Sequence, residues 1–172
     1  MRAKVWTGWM VTAVATAAGV AALTRPVAAT YGTANLSVTA TVTNNCTIST
    51  TPVAFGSYDP VVANATANLD ANGSVVVACT KGATATVGLA LGANGTGSTR
   101  RMKDSGANYL TYELYQESGR STVWGNSGGA LLSPGAAPSK AARTFPVYGR
   151  IAGNQDIPAG NYSDTVVATV NF

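Results

Sequence analysis

The residues that could carry out acid–base or nucleophilic chemistry are few in this chain. Its 172 residues include 7 Asp and Glu, 2 Cys and no His. A Ser-His-Asp triad and a Cys-His dyad both need an imidazole as general base, and many metal sites need one as a ligand. The composition therefore excludes these sites within this chain and leaves carboxylates, a serine-containing loop and the cysteines to be weighed.

Two groups of residues superficially resemble catalytic sites. Asp104 and Glu113 could be the carboxylate pair of a glycosidase, and Glu117 lies close to Glu113 in the sequence. Alternation along a strand, however, places Glu113 opposite its apolar neighbours, in solvent. The glycine-rich stretch 125–129 resembles the nucleophile loop of trypsin-like proteases, but Asn126 replaces the usual Asp and no general base is present. We interpret that stretch as a turn and expect no enzymatic activity, no cofactor and no metal.

The N-terminal residues predict export. Arg2 and Lys4 form a short positive region, residues 5–24 carry no charge, and small residues at 27–29 suit a signal peptidase. We expect residues 1–29 to be a signal peptide that is removed after Ala29. The uncharged stretch is also long enough to span a bilayer, so an uncleaved anchor is the alternative.

The charge of the chain belongs largely to that signal. The full chain has 11 Lys and Arg against 7 Asp and Glu, and removal of residues 1–29 leaves 8 against 7. Arg100–Lys103 is then the one basic cluster, and we expect it to be a solvated loop or strand end. Nucleic-acid binding needs a broader basic face, so we expect no nucleic-acid partner. We also expect no small-molecule substrate.

Cys46 and Cys79 are predicted to form a disulfide. Pairing is the default for two cysteines in an oxidising compartment, and two cysteines without histidine make a poor zinc site. The bond would close a loop of 33 positions, and loop-closure entropy predicts a stabilisation of about 3.7 kcal/mol.

Short β-strands separated by turns account for residues 30–172. Helical periodicity is almost absent, and the segments that alternate or are rich in β-branched residues predict an antiparallel β-sandwich of one domain. Asp70–Ala71–Asn72–Gly73 is predicted to be a turn, because Asn-Gly favours hairpins. The predicted strands are 36–42, 46–49, 53–56, 74–79, 86–91, 110–116, 122–124, 143–151 and 162–172.

The first and last of these strands suggest polymerisation. The apolar face of the first strand consists of Leu36, Val38, Ala40 and Val42, and that of the last consists of Val166, Ala168, Val170 and Phe172. A sandwich that stops on a strand has no later segment to cover that strand's edge, so a spare N-terminal strand could pair with another molecule. The alternative is that 36–42 is the ordinary first strand of a complete, monomeric sandwich, and the pattern alone does not decide between them.

Four sequence blocks resemble a known family. Residues 112–115, 122–125, 147–151 and 160–172 are similar in order and spacing to the spore coat protein U domain, which builds subunits of archaic chaperone–usher pili. The positions of both cysteines also agree, and the resemblance covers essentially all of residues 30–172.

The resemblance implies an incomplete immunoglobulin-like β-sandwich that lacks its last strand. In such pili a periplasmic chaperone lends a strand, and an outer-membrane usher replaces it with the donor strand of the next subunit. Residues 30–43 would be the donor segment, with Leu36, Val38, Ala40 and Val42 as donor side chains, and residues 44–172 the pilin domain. Val166, Ala168, Val170 and Phe172 would form a groove wall, and Cys46 and Cys79 the disulfide.

The implied function is a shaft or adaptor subunit, because the chain has no room for the extra domain of a tip adhesin. The pilus would reach the cell surface through the periplasm and support attachment and biofilm formation. Two alternatives are a monomeric secreted binding protein that uses Trp124, Tyr112 and Tyr115, and a coat-forming secreted protein.

Overall fold

The computed structural model describes residues 25–172, so the predicted signal peptide lies outside the described residues apart from 25–29. The chain divides into two compact units, Met1–Thr39 and Ala40–Phe172. In the first unit, the described residues 25–39 lie in no helix or strand, and they are exposed. Within the described part of the chain, no helix is long and apolar enough to cross a membrane.

The second unit is built from seven β-strands and one turn of 3₁₀-helix at Gly128–Ala130. The strands are β1 (Cys46–Thr51), β2 (Leu69–Cys79), β3 (Thr86–Leu89), β4 (Arg100–Lys103), β5 (Tyr109–Tyr115), β6 (Arg143–Ile151) and β7 (Ala168–Asn171).

These strands form two antiparallel sheets. The larger sheet has the order β1-β2-β6-β5-β4, and the smaller one pairs β3 with β7. The aromatic-rich strand β5 lies inside the larger sheet, as predicted, and β6 has the predicted bounds. Of the other predicted strands, 53–56 and 122–124 are not formed, and Val123 makes only a single bridge to Tyr115.

The core lies between the two sheets because apolar residues alternate along the strands that face it. Val75 and Val77 of β2, for example, are each 1% exposed, while the residues between and beside them are only partly buried. Trp124 is completely buried, and its indole N–H donates a hydrogen bond to the Val87 carbonyl at 2.9 Å. The ring is therefore a packing element of the core.

Cys46 and Cys79 form the predicted disulfide. They are direct cross-strand partners at the start of β1 and the end of β2, with their Cα atoms 4.1 Å apart.

The predicted turn at residues 70–73 is wrong, because β2 runs straight through it. Gly73 is required there for a different reason: a Cβ on it would lie 2.6 Å from the Thr51 carbonyl oxygen. Gly149 of β6 has the same role, since its Cβ would lie 2.7 Å from the Phe55 ring. The glycines allow the chain after β1 to cross closely over the sheet.

The expectation that Arg100–Lys103 is a solvated basic cluster is wrong for Arg100. Arg100 is 2% exposed. Its guanidinium donates to the carbonyls of Leu89 at 2.8 Å, Ala90 at 3.0 Å and Trp124 at 2.8 Å. These bonds join β4 of the larger sheet to the end of β3 in the smaller one.

Glu113 is likewise not a free surface carboxylate. Its side chain is 24% exposed and forms an ion pair with Arg100. Alternation along β5 gives only the face on which Glu113 lies. It does not show that the long Arg100 side chain of the neighbouring strand reaches the carboxylate.

Replacing Arg100 with methionine is expected to lower the free energy of unfolding by about 3–5 kcal/mol, because the change leaves Glu113 and three carbonyls without their donor. Arg150 provides a matched control. Its pair with Asp70 has side chains that are 31% and 37% exposed, so Arg150→Met should cost less than about 1 kcal/mol. Urea unfolding of the two variants measures both values, and equal losses would contradict this account of Arg100.

Replacing both cysteines with alanine is expected to lower the free energy of unfolding by about 2–5 kcal/mol, because the unfolded chain regains its loop entropy. The yield of exported protein should fall with it. Mass spectrometry of the unaltered exported protein should find no free thiol, and two free thiols in normally exported material would refute the prediction.

Candidate functional site

Two strands of the second unit have an unpaired edge next to the core. β1 pairs only with β2, and β7 pairs only with β3, among the strands of the described residues. β1 and β7 also contact each other across the sandwich. Their outer edges therefore border one gap between the two sheets, with backbone N–H and C=O groups available for pairing.

A cavity of about 210 Å³ opens in this gap. Residues 50–53, at and after the end of β1, form one wall, and Asp164, Val166 and Ala168 form the other. The floor is the hydrophobic core itself. It includes Val75, Leu89, Leu114 and Val147, whose exposed fractions are 1%, 4%, 4% and 4%.

The volume indicates how much an occupant could contribute. At about 24 cal/mol per Å³ of empty space, filling the whole cavity would be worth roughly 5 kcal/mol. That figure is an upper bound because the cavity is open to solvent. It is still comparable to the total stability of a small domain, about 5–15 kcal/mol.

The C-terminal residues line the gap as an alternating wall. Val166, Ala168 and Val170 are partly buried and pack against the core, whereas Val167 is 61% exposed. β7 is shorter than the predicted strand 162–172, because its pairing partner β3 ends at Leu89, opposite Ala168. Phe172 is 56% exposed and lies beyond the end of β7.

Residues 36–42 lie in no strand, and their large apolar side chains are exposed. The exposed fractions are 87% for Leu36, 83% for Val38 and 83% for Val42. Ala40 is also exposed.

A polar network at the edge of the gap was missed by the sequence analysis. The Tyr112 hydroxyl donates to one Asp164 oxygen at 2.7 Å, and the other oxygen accepts from the Asn94 backbone N–H at 3.0 Å and its side-chain amide at 3.1 Å. A Cβ on Gly92 would lie 1.9 Å from Asp164. Asp164 is the one acidic residue in the predicted strand 162–172, and this was the only sign of the network in the sequence.

A second, wider cavity of about 620 Å³ adjoins the first. The two share Val53, Phe55, Met102 and Asp164 in their linings. The second cavity is formed largely by residues 53–58 and 157–164, so the gap continues beyond β1 and β7 into the loops at that end.

The sequence candidates for catalysis do not meet. Asp104 accepts hydrogen bonds within its own loop, and the Asn108 side chain, followed by nearby backbone N–H groups, lowers its pKa. Glu117 accepts from Ser121, which lowers the pKa of Glu117. Both carboxylates bind their own loops, and the described residues contain no cluster of three or more acidic, His or Cys residues able to hold a metal.

The sequence matches the Spore Coat Protein U domain over residues 32–169. The match covers most of the chain. The chain belongs to the Spore Coat Protein U domain family.

Two individual relatives support this membership and the fold. Protein U of Myxococcus xanthus is 39% identical over 178 residues, which span 94% of this chain and 96% of that protein. A chain in the crystal structure of the CsuC–CsuE chaperone–tip adhesion subunit complex, from archaic chaperone-usher Csu pili of Acinetobacter baumannii, superposes with a TM-score of 0.56 and 24% identity. The superposition covers 77% of this chain and 41% of that one, so the present chain spans about two fifths of that protein's length.

The structural likeness concerns the fold. This Spore Coat Protein U domain is an all-β, immunoglobulin-like sandwich, as the resemblance of the four sequence blocks implied. Its larger sheet ends at β1 and its smaller sheet ends at β7, and the gap between these two edges opens onto the core.

The Tyr112–Asp164 contact predicts an alkaline loss of stability. Burial, followed by the hydrogen bond to Asp164, raises the pKa of Tyr112 well above 10. Because the folded pKa exceeds the unfolded one, the stabilisation is complete below about pH 10 and is lost above it, at up to about 1.4 kcal/mol per pH unit. Tyr112→Phe should reduce this slope in pH-dependent urea unfolding, whereas Tyr31→Phe, at a ring that is 88% exposed, should not. Equal slopes in both variants would contradict the prediction.

Proposed function

We propose that this protein is a structural subunit, shaft or adaptor, of a chaperone–usher pilus and that it polymerises by donor-strand exchange. The observation that carries the proposal is the gap between β1 and β7, whose floor is the hydrophobic core and whose two edges are unpaired. A strand inserted there would pair with both edges and cover the floor at once.

The exposed N-terminal segment has the composition that such a strand needs. Leu36, Val38, Ala40 and Val42 alternate with Ser and Thr, so one face is apolar and the other polar. Burying Leu36, Val38 and Val42 would contribute about 1.5–3 kcal/mol each.

The length of the segment also fits. Seven residues of β-strand extend about 23 Å. Asp164, Val166 and Ala168 line the cavity, and β7 continues the same edge to Asn171, so the edge is long enough for such a strand. A donor over residues 36–42 would therefore match the wall that it must pair with.

Exchange between copies would produce a filament. The donor of one molecule enters the gap of the next, and this head-to-tail contact need not close into a ring. Before assembly, a periplasmic chaperone would have to cover the open core, since an exposed apolar gap beside free strand edges invites aggregation. An outer-membrane usher would then exchange the chaperone strand for the donor and deliver the fibre to the cell surface, where it supports attachment and biofilm formation.

An extracellular coat is the second candidate. The family name refers to a spore coat, and the Myxococcus xanthus relative called Protein U aligns with 94% of this chain. The same strand exchange could build a coat, and electron microscopy of intact cells and spores separates a projecting fibre from a surface layer.

The monomeric binding-protein alternative has less support. Trp124 is completely buried and Tyr112 is 8% exposed. Trp124 is thus unavailable for stacking on a ligand, and Tyr112 offers only the small part of its side chain that lines the cavity.

Deleting residues 30–43 is expected to stop fibre growth while leaving export and chaperone binding intact, because the deletion spares Cys46 and every strand of the domain. Val38→Asp should have the same effect, since it places a charge in an apolar groove at a cost of several kcal/mol. Ser37→Asp is the matched control, because that side chain lies on the polar face of the donor and should be tolerated. Fibre length in negative-stain micrographs measures all three.

Linking residues 30–43 to the C-terminus after Phe172 should instead fill the subunit's own gap and give a stable monomer. Size-exclusion chromatography and thermal unfolding would measure this. Normal fibres from the deleted chain, or a deleted chain that unfolds without binding any chaperone, would show that 36–42 is not a donor.

A further inference from the structure

The loops at the two ends of the sandwich carry opposite charge. One end, where Cys46 pairs with Cys79, consists of residues 43–45, 80–85 and 131–142; we call it the basic end. The other, where Leu69 pairs with Ile151, consists of residues 56–64, 104–108 and 152–164; we call it the acidic end.

The separation of charge between these loops is complete. The basic end contains Lys81 and Lys140, both exposed, and its loops contain no Asp or Glu. The loops of the acidic end contain no Lys or Arg; the nearest cation is Lys103, the last residue of β4. The carboxylates of the acidic end are Asp59, Asp104, Asp156 and Asp164.

The three residues that follow the donor segment, 43–45, lie at the basic end. Residues 43–45 alone separate Val42 from the first residue of β1. The Thr80 hydroxyl donates to the Thr43 carbonyl at 3.2 Å and accepts from the Asn45 N–H at 3.1 Å, and the Thr80 N–H donates to the Asn45 carbonyl at 2.9 Å. These bonds tie Thr43 and Asn45 to Thr80 at the end of β2, so the linker between Val42 and β1 is short and anchored to the domain.

The direction of pairing determines which end this linker would meet. β1 and β7 run in opposite directions, since β1 begins and β7 ends at the basic end, so a strand between them is antiparallel to one and parallel to the other. We take the donor as antiparallel to β7, because it would extend the β3–β7 sheet, whose existing pair is antiparallel. A donor antiparallel to β7 runs from the Val170 end of the gap towards Asp164, where the acidic end begins. Its C-terminal residue, Val42, then lies at the acidic end of the recipient, and the basic end of its own domain follows directly.

A preformed apolar tip projects from the acidic end. Val61 is 80% exposed and Val62 is 78% exposed. An Asp59 oxygen accepts from both of their backbone N–H groups, at 2.9 and 3.1 Å. Asn64, only 5% exposed, closes the loop through a hydrogen bond from its N–H to the Asp59 carbonyl at 2.7 Å. The valines are thus presented on an ordered turn.

We infer that the acidic end of one copy docks directly against the basic end of the next, with Val61 and Val62 at the contact and Asp156 and its neighbours facing Lys81 and Lys140. The inference rests on the proposed function, since the donor segment brings the two ends together. The partner is a second copy of this chain, selected by opposite charge and by a linker too short to keep the two domains apart. Donor insertion links the subunits into a continuous fibre. The contact between the two ends restricts bending between neighbouring domains and so makes the fibre stiff.

The experiment reverses the charge of one end and then of both. Fibres are prepared from the full chain, from Lys81→Glu with Lys140→Glu, and from that variant with Asp156→Lys and Asn161→Lys added at two exposed positions of the acidic end. Persistence length in negative-stain micrographs is the readout. The first variant should form fibres of clearly shorter persistence length, and the added changes should restore it. Stiffness of the unaltered fibre should also fall in about 1 M NaCl, where the screening length is about 3 Å.

Each outcome decides the inference. Fibres of the first variant as stiff as the unaltered ones, or a loss that the added lysines do not restore, would overturn it. A first variant that forms no fibres supports the inference if the added lysines restore them and overturns it otherwise. Separately, Val61→Ser with Val62→Ser should soften the fibre without shortening it. Failure of the unaltered chain to polymerise, or normal polymerisation without residues 30–43, would instead overturn the proposed function and this inference with it.

Discussion

The guanidinium of Arg100 joins the two sheets, and the asymmetry of the sandwich follows from where it does so. Arg100 extends from β4, at one edge of the larger sheet, to backbone carbonyls at the end of β3 and at Trp124. On the same side, Lys103 and Ser163 exchange backbone hydrogen bonds at 2.9 and 3.0 Å. The β4 side of the sandwich is therefore closed by protein groups. The opposite side, between β1 and β7, has no comparable set of bonds among the described residues, and the core opens there.

This asymmetry separates stability from assembly. The buried ion pair, the disulfide and the Trp124 packing all stabilise the domain without help from another molecule. The gap leaves part of the core and two backbone edges unsatisfied, so any strand with alternating apolar residues can stabilise the domain further. If the protein assembles as proposed, such a domain would be stable enough to fold and would still gain free energy when a donor strand fills the gap.

Much of the fold could be predicted from the sequence, because its signals are local. The alternation of apolar and polar residues located β5 and β6. Two cysteines allow only one disulfide pairing, and the predicted export of the chain favoured its formation. The errors came from contacts between distant segments. Asn72-Gly73 has the composition of a turn, but Gly73 is needed where the chain after β1 crosses β2. Arg100 looked like a surface cation, since nothing local indicates that three carbonyls from other segments converge on it. The pattern of 162–172 located the edge strand β7, whereas the role of that strand as a groove wall stays a prediction. The Tyr112–Asp164 network and the charged ends depend on topology that no single segment encodes.

In the filament that we propose, the position of the disulfide would have a mechanical consequence. A pulling force applied along the fibre would enter each domain through residues 43–45 and reach β1 at Cys46, its first residue. There the covalent bond to Cys79 passes the force directly to β2, which pairs with β1 on one side and β6 on the other. The hydrogen bonds of the edge strand β1 are thus spared from being peeled open one at a time from its loaded end. The weakest element in the line of tension would then be the inserted donor strand, loaded in shear along its length, so that all its hydrogen bonds share the force together.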